Sequence, residues 1–162
     1  MGLLINLRQL EKQNLHLEGE IPPSELDIEC IDELVRAEQP LQYDIEVQKL
    51  EGGILAQGRL KLSLNCECAR CLKPFEYTLE LNDWTCHLPL EGEDKAEIVN
   101  DCVDLTPNIR EDILLEFPQH PLCKTECSGL PKKAVEKTKK TGGTGKAKEV
   151  SSAWAELNKL KF

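Results

Sequence analysis

Eight cysteines stand in a chain of 162 residues, and five of them fall in two clusters. Cys66-Glu67-Cys68-Ala69-Arg70-Cys71 contains a C-x-x-C, and Cys123-Lys124-Thr125-Glu126-Cys127 is a C-x-x-x-C. Two thiolates separated by a tight turn reach one tetrahedral zinc ion, with zinc–sulfur bonds of about 2.3 Å. Together the pairs offer Cys68, Cys71, Cys123 and Cys127 as a four-sulfur zinc site, with Cys66 and His120 as reserve ligands. Other readings of these residues stay open. Cys66 and Cys68 share the parity of Leu60, Leu62 and Leu64, so either fits the core as a small apolar side chain. Cys68 and Cys71 also fit a thiol–disulfide redox pair, although they follow a strand and do not head a helix. Structural thiols without metal are a further reading. Cys30, Cys86 and Cys102 are isolated and read as inert buried thiols, and His16 and His87 have no partner by spacing.

Catalytic patterns are missing. There is no Gly-rich phosphate loop, no H-E-x-x-H and no G-x-S-x-G. The expectation is a protein that is not an enzyme and takes no small-molecule substrate. The apolar part of MGLLINLRQLEKQ is too short, and its charges come too early, for a signal peptide. No apolar run approaches the roughly 20 residues of a membrane span. The expected place is therefore the cytoplasm, with no membrane partner and a monomeric chain. In a reducing compartment, clustered cysteines point to metal or redox chemistry and away from disulfides.

Lys+Arg is 20 and Asp+Glu is 29, a net charge of −9. That sign argues against a protein that coats nucleic acid with its whole surface. The charge is uneven. Residues 131–150 hold seven Lys and two Glu, a local +5, which leaves −14 for the rest of the chain.

Elements must position the cysteines. Leu15, Leu17 and Ile21 share one parity and predict a strand, broken by Pro22-Pro23. Residues 25–38 fit a helical face and an alternation equally well. Leu41, Tyr43, Ile45 and Val47 alternate with polar residues, and Glu51-Gly52-Gly53 predicts a hairpin turn. Ile54, Ala56, Gly58, Leu60, Leu62 and Leu64 then form one buried face of a long strand that runs into Cys66 and Cys68. Phe75, Tyr77, Leu79 and Leu81 make a third alternating run, and Trp84, Cys86, Leu88 and Leu90 continue a strand-like pattern. Short connections imply antiparallel pairing. Residues 91–102 read as an acidic loop and a short strand. Thr106-Pro107 predicts a helix start with Thr106 as cap, and Ile109, Ile113, Leu114 and Phe117 share its face up to Pro118. The fold class is thus α+β: an antiparallel sheet curved toward a barrel, with a few helices. Residues 1–130 read as one globular domain and 131–150 as a flexible Lys/Gly-rich segment. Trp154, Leu157 and Leu160 predict a short amphipathic C-terminal helix over 151–162.

Four segments carry a family resemblance. Cys68-Ala69-Arg70-Cys71-Leu72-Lys73-Pro74-Phe75, preceded by Gly58-Arg59-Leu60, resembles the C-x-R-C-L-x-P-F segment of the YceD family, the large ribosomal RNA subunit accumulation proteins. Asp104-Leu105, followed by Arg110-Glu111-Asp112-Ile113-Leu114-Leu115 and Pro118, resembles its D-L…R-E-x-I-L-L helix. Cys123…Cys127-Ser128-Gly129-Leu130 resembles its C…C-x-G-L knuckle, and Trp154-Ala155-Glu156-Leu157 resembles its closing helix. The resemblance covers about residues 15–162 in the right order. One departure is plain: Gly129-Leu130 runs into Pro131-Lys132-Lys133 where many members carry a further cysteine pair. That leaves Cys68 and Cys71 as the natural partners of Cys123 and Cys127.

The resemblance implies a non-catalytic ribosome biogenesis factor that supports accumulation or processing of 23S ribosomal RNA. Its partner is then pre-ribosomal large-subunit RNA or a basic ribosomal protein. Arg70, Lys73, Lys132, Lys133, Lys137, Lys139 and Lys140 are the candidate binding residues. The alternatives are a zinc-stabilised protein-interaction adaptor unrelated to RNA and, more distantly, a redox protein using Cys68 and Cys71.

Overall fold

The computed structural model describes residues 2–130. Its backbone clusters separate Met1–Cys127 from Ser128–Phe162. The expected Lys/Gly-rich segment 131–150 and the expected helix over 151–162 lie outside the described residues.

The alternation around residue 60 produces the central strand. β5 (Gly53–Glu67) buries Ile54, Ala56, Leu60, Leu62, Leu64 and Cys66, and exposes Gln57, Arg59, Lys61, Asn65 and Glu67. β4 (Leu41–Leu50) pairs antiparallel along one edge of β5, from Gln42↔Lys61 to Leu50↔Gly53. The connection is Glu51-Gly52, with Gly52 at φ +78°, a backbone region glycine enters without a Cβ penalty. β3 (Val35–Arg36) pairs with Cys66 and Asn65, so it extends the β4 edge. β2 (Leu15–Ile21) pairs with β4 from Leu15↔Val47 to Ile21↔Leu41. β6 (Pro74–Pro89) runs the full length of the other edge of β5. The result is a strongly curled antiparallel half-barrel, in keeping with the expected curved antiparallel sheet.

β6 is one strand of 16 residues where the pattern suggested two runs. Leu60 pairs with Leu81 but Gly58 pairs with Trp84, so Asn82 and Asp83 together oppose Arg59. This is a β-bulge, one extra residue that leaves the ladder on both sides intact. It switches the inward parity from Leu79 to Trp84, Cys86 and Leu88. Gly58 sits opposite the bulge against β4, and a Cβ there would lie 2.0 Å from the Asp44 carbonyl oxygen. The two strands can approach so closely only over a glycine.

The concave face is closed by a second sheet and a helix. β1 (Leu4–Asn6), β8 (Cys102–Asp104) and β7 (Ile98–Val99) pair in the order β1-β8-β7. α1 (Leu7–Leu10) and α2 (Pro23–Leu26) are single turns. α3 (Thr106–Leu115) buries Ile109 and Ile113. Trp84 Nε1 donates to Asp112 Oδ2 at 2.7 Å and Arg110 Nε to the Leu26 carbonyl at 2.8 Å, tying α3 to β6 and to α2.

Several expectations need correction. Thr106 is not the helix cap: Leu105 holds that position, and the Thr106 hydroxyl instead accepts the Leu3 amide at 2.8 Å. The helix stops at Leu115, because Glu116 and Phe117 donate to carbonyls three residues back. Residues 25–38 are mainly irregular, since Asp27 at φ +51° ends α2. Cys30 lies in that segment and is exposed, not buried. His16 does have a partner: its Nε2 lies 2.6 Å from Asp44 Oδ1 across the β2–β4 pairing.

The convex face is polar and built in rows by the strand register. Glu20, Gln42, Lys61 and Glu80 form one row. Glu18, Asp44 and Arg59, with the bulge, form the next, followed by His16, Glu46, Gln57 and Thr85.

Candidate metal centre

The β5–β6 hairpin and the segment after α3 each bring a cysteine pair to the same place. β5 ends at Glu67, paired with Pro74, and the six residues between them form a knuckle. The Cys68 amide donates to the Lys73 carbonyl and the Leu72 amide to the Cys68 carbonyl, each at 2.9 Å. Leu72 takes φ +60° to close this turn and leaves its side chain 57% exposed. The second knuckle closes through the Cys127 amide to the Lys124 carbonyl at 3.2 Å. Two bonds join the knuckles: Ala69 amide to Pro121 carbonyl at 2.8 Å and Arg70 Nη1 to Cys127 carbonyl at 3.0 Å.

Cys68, Cys71, Cys123 and Cys127 thereby place their sulfurs within 4.8 Å of one another. Cys68 Sγ lies 3.7 Å from Cys127 Sγ, and Cys71 Sγ lies 3.6 Å from Cys123 Sγ. Four sulfurs on a tetrahedral zinc, with bonds of about 2.3 Å, stand about 3.8 Å apart. The donor set fits such an ion in number, type and spacing. The close contacts run between knuckles, so the ion would clamp one knuckle to the other.

Electrostatics fit the same role. Amides of Cys123, Cys71 and Arg70 point at the Cys68 sulfur and lower its pKa to about 6. Cys123 is pushed up to about 12, first by its contact with Cys71, then by burial and by the other two sulfurs. Four adjacent sulfurs do not all ionise without a cation among them. A divalent metal removes that repulsion and releases the remaining protons.

The reserve ligands stay apart. Cys66 is 2% exposed in the apolar core, its thiol raised by burial and, less, by Asp32. His120 is exposed and outside the four-sulfur group. Cys86 is buried, its thiol raised by burial and then by Asp112. Arg70 and Lys73 sit at the first knuckle, both exposed, with Arg70 also bonded to the second. Lys132, Lys133, Lys137, Lys139 and Lys140 lie outside the described residues. Lys124, exposed on the second knuckle, is a further cation that the C-K-T-E-C segment itself displays and that spacing arguments about ligands passed over. Among the described residues no helix is long and apolar enough to cross a membrane.

A curled antiparallel sheet whose longest hairpin ends in a cysteine knuckle, bridged to a second knuckle, defines a small sheet protein with a four-cysteine cluster that could hold a metal ion. The family comparison gives that class its place. Residues 56–161 match the family model of the large ribosomal RNA subunit accumulation protein YceD, and the chain belongs to that family. It is also similar to uncharacterised proteins of Mycobacterium bovis and Mycobacterium tuberculosis, 28% identical over 130 residues, 72% of this chain and 60% of each relative. A Mycobacterium leprae protein, likewise uncharacterised, is 24% identical over 99 residues, 56% of this chain and 46% of the relative. The chain thus spans 60% or less of the length of these curated relatives. No solved structure matches it.

Proposed function

We propose that the chain is a non-catalytic factor in the cytoplasm that supports accumulation of 23S ribosomal RNA. It contacts precursor RNA through the zinc-clamped double knuckle and the lysines that follow it. The carrying observation is the four-sulfur cluster, which joins the two knuckles that carry the exposed cations Arg70, Lys73 and Lys124. Cations there meet phosphates, while the acidic remainder of the chain repels them elsewhere. A site with four sulfur ligands leaves zinc no open position for substrate or water, which supports a structural metal. The redox reading of Cys68 and Cys71 is less well supported. Cys68 is fully buried, and its close sulfur neighbour is Cys127.

The test pairs a depletion strain with binding in vitro. Depletion should lower 23S relative to 16S RNA. The intact gene should restore it, and Cys127→Ser should not. Purified protein should shift 23S fragments in a gel, and changing Arg70, Lys73 and Lys124 to Ala should flatten the salt dependence, each lost contact removing about 0.7 from the log–log slope on single strands. An unchanged RNA profile on depletion would overturn the reading.

A further inference from the structure

The convex face of the large sheet has an electrostatic pattern that the knuckle does not explain. Three adjacent rows present Glu18, Glu20, Asp44, Glu46, Glu80 and Asp83, against the cations Arg59 and Lys61. Lys61 is taken by Glu80 at 3.1 Å. Glu18 and Asp44 are direct cross-strand partners, and like charges so placed weaken a sheet. His16, 2.6 Å from Asp44, and Arg59, its cross-strand partner on β5, offset part of that charge. At the bulge the face dips into a groove of about 640 Å³, where Asp44, Glu46 and Asp83 outnumber the cation Arg59 and His16 in the lining. A sheet face of this curvature is broad enough for an extended segment laid across the strands, and the groove has room for a side chain with a cationic head.

We propose that this face is a docking surface for a Lys/Arg-rich polypeptide segment of a partner protein. Phosphates are repelled from it, so it is no RNA surface. The choice of partner rests on the ribosomal reading above, because proteins that bind ribosomal RNA carry dense Lys and Arg to neutralise phosphates. The factor then has two separate surfaces, one for each class of partner. The knuckle meets RNA, and the convex sheet holds the basic segment of a protein destined for that RNA. Carboxylates arranged opposite such a segment raise its association rate and select it over neutral or acidic chains.

The experiment uses the full chain and a labelled peptide of about 20 residues built from Arg, Lys, Ser and Gly. Fluorescence anisotropy compares wild type with Glu18→Gln/Asp44→Asn/Glu46→Gln and with a control of equal charge change in the exposed acidic loop, Glu91→Gln/Glu93→Gln/Asp94→Asn. The face variant should weaken binding at least about tenfold and the loop variant no more than about twofold. In wild type, amide shift changes on adding peptide should concentrate in β2, β4 and the bulge of β6. Equal weakening by both variants, or shift changes centred on residues 68–73 and 121–127, would overturn the proposal. A normal RNA profile in depleted cells would remove the ribosomal reading without touching peptide binding, so the two failures are distinguishable.

Discussion

Removing the metal should loosen the fold by an amount set by how far apart the joined pairs lie in sequence. Each pair can hold a metal by itself even in the unfolded chain, because its two sulfurs are three or four residues apart. What folding adds is the union of the pairs, whose contacts join residues 52 and 59 positions apart. Closing a loop of this size removes about 4 kcal/mol of chain entropy from the unfolded state. For a protein of this length, 1 kcal/mol moves the melting temperature by about 2–4 °C. The expected loss is therefore about 8–16 °C, well short of collapse, since the apolar core lies mostly on β2, β4, β5, β6 and α3. The assay is thermal melting of zinc-loaded protein, chelator-treated protein and Cys127→Ser, with metal content measured in each. Cys30→Ser, at an exposed and isolated thiol, is the control and should match wild type. Loaded and chelated proteins melting within about 2 °C of each other would refute the clamp, as would a loaded protein with less than one zinc per chain.

Two further outcomes follow from the sheet. Leu62 is fully buried, so Leu62→Ala should cost about 2–5 kcal/mol in urea unfolding, whereas Lys61→Ala, losing one half-exposed ion pair, should cost under about 1 kcal/mol; equal costs would overturn the inward–outward assignment of β5. The Asp44 carboxylate raises the His16 pKa above its ordinary 6.5, first by the hydrogen bond and then by charge. That pair stabilises the fold fully below pH 6.5, and its contribution fades as pH rises through the raised value. An NMR titration should place His16 closer to 6.5 in Asp44→Asn, and an identical midpoint in both proteins would contradict the pairing.

Much of the fold was legible because strand periodicity is written locally. Leu60, Leu62 and Leu64 announced both the strand and its buried side, and the two cysteine spacings announced the four-sulfur cluster. What stayed hidden depends on partners distant in sequence. The Leu3 amide claims the Thr106 hydroxyl from across the chain, so a residue with a good capping side chain does not cap. His16 finds Asp44 only through the β2–β4 register. The carboxylates of the convex face alternate plainly within each strand, yet only cross-strand pairing gathers them into rows. Cys66 shows the same limit from the other side. It belongs by spacing to the cysteine cluster, but the pleat turns it inward, and the pleat decides.

The bulge at Asn82 and Asp83 bears on how this gene tolerates changes in length. The ladder is regular on both sides of it, so one of these two residues is surplus to the pairing. Deleting Asn82 would leave Leu81 opposite Leu60 and Trp84 opposite Gly58, and would remove only the local kink and extra twist. A single deletion at Thr78 or Cys86 instead breaks the alternation and turns part of the strand inside out. Among descendants of this sequence, insertions and deletions within β6 should therefore collect at residues 82–83. The long hairpin has one elastic joint, and elsewhere along β6 a change of one residue breaks the reading frame of the pleat.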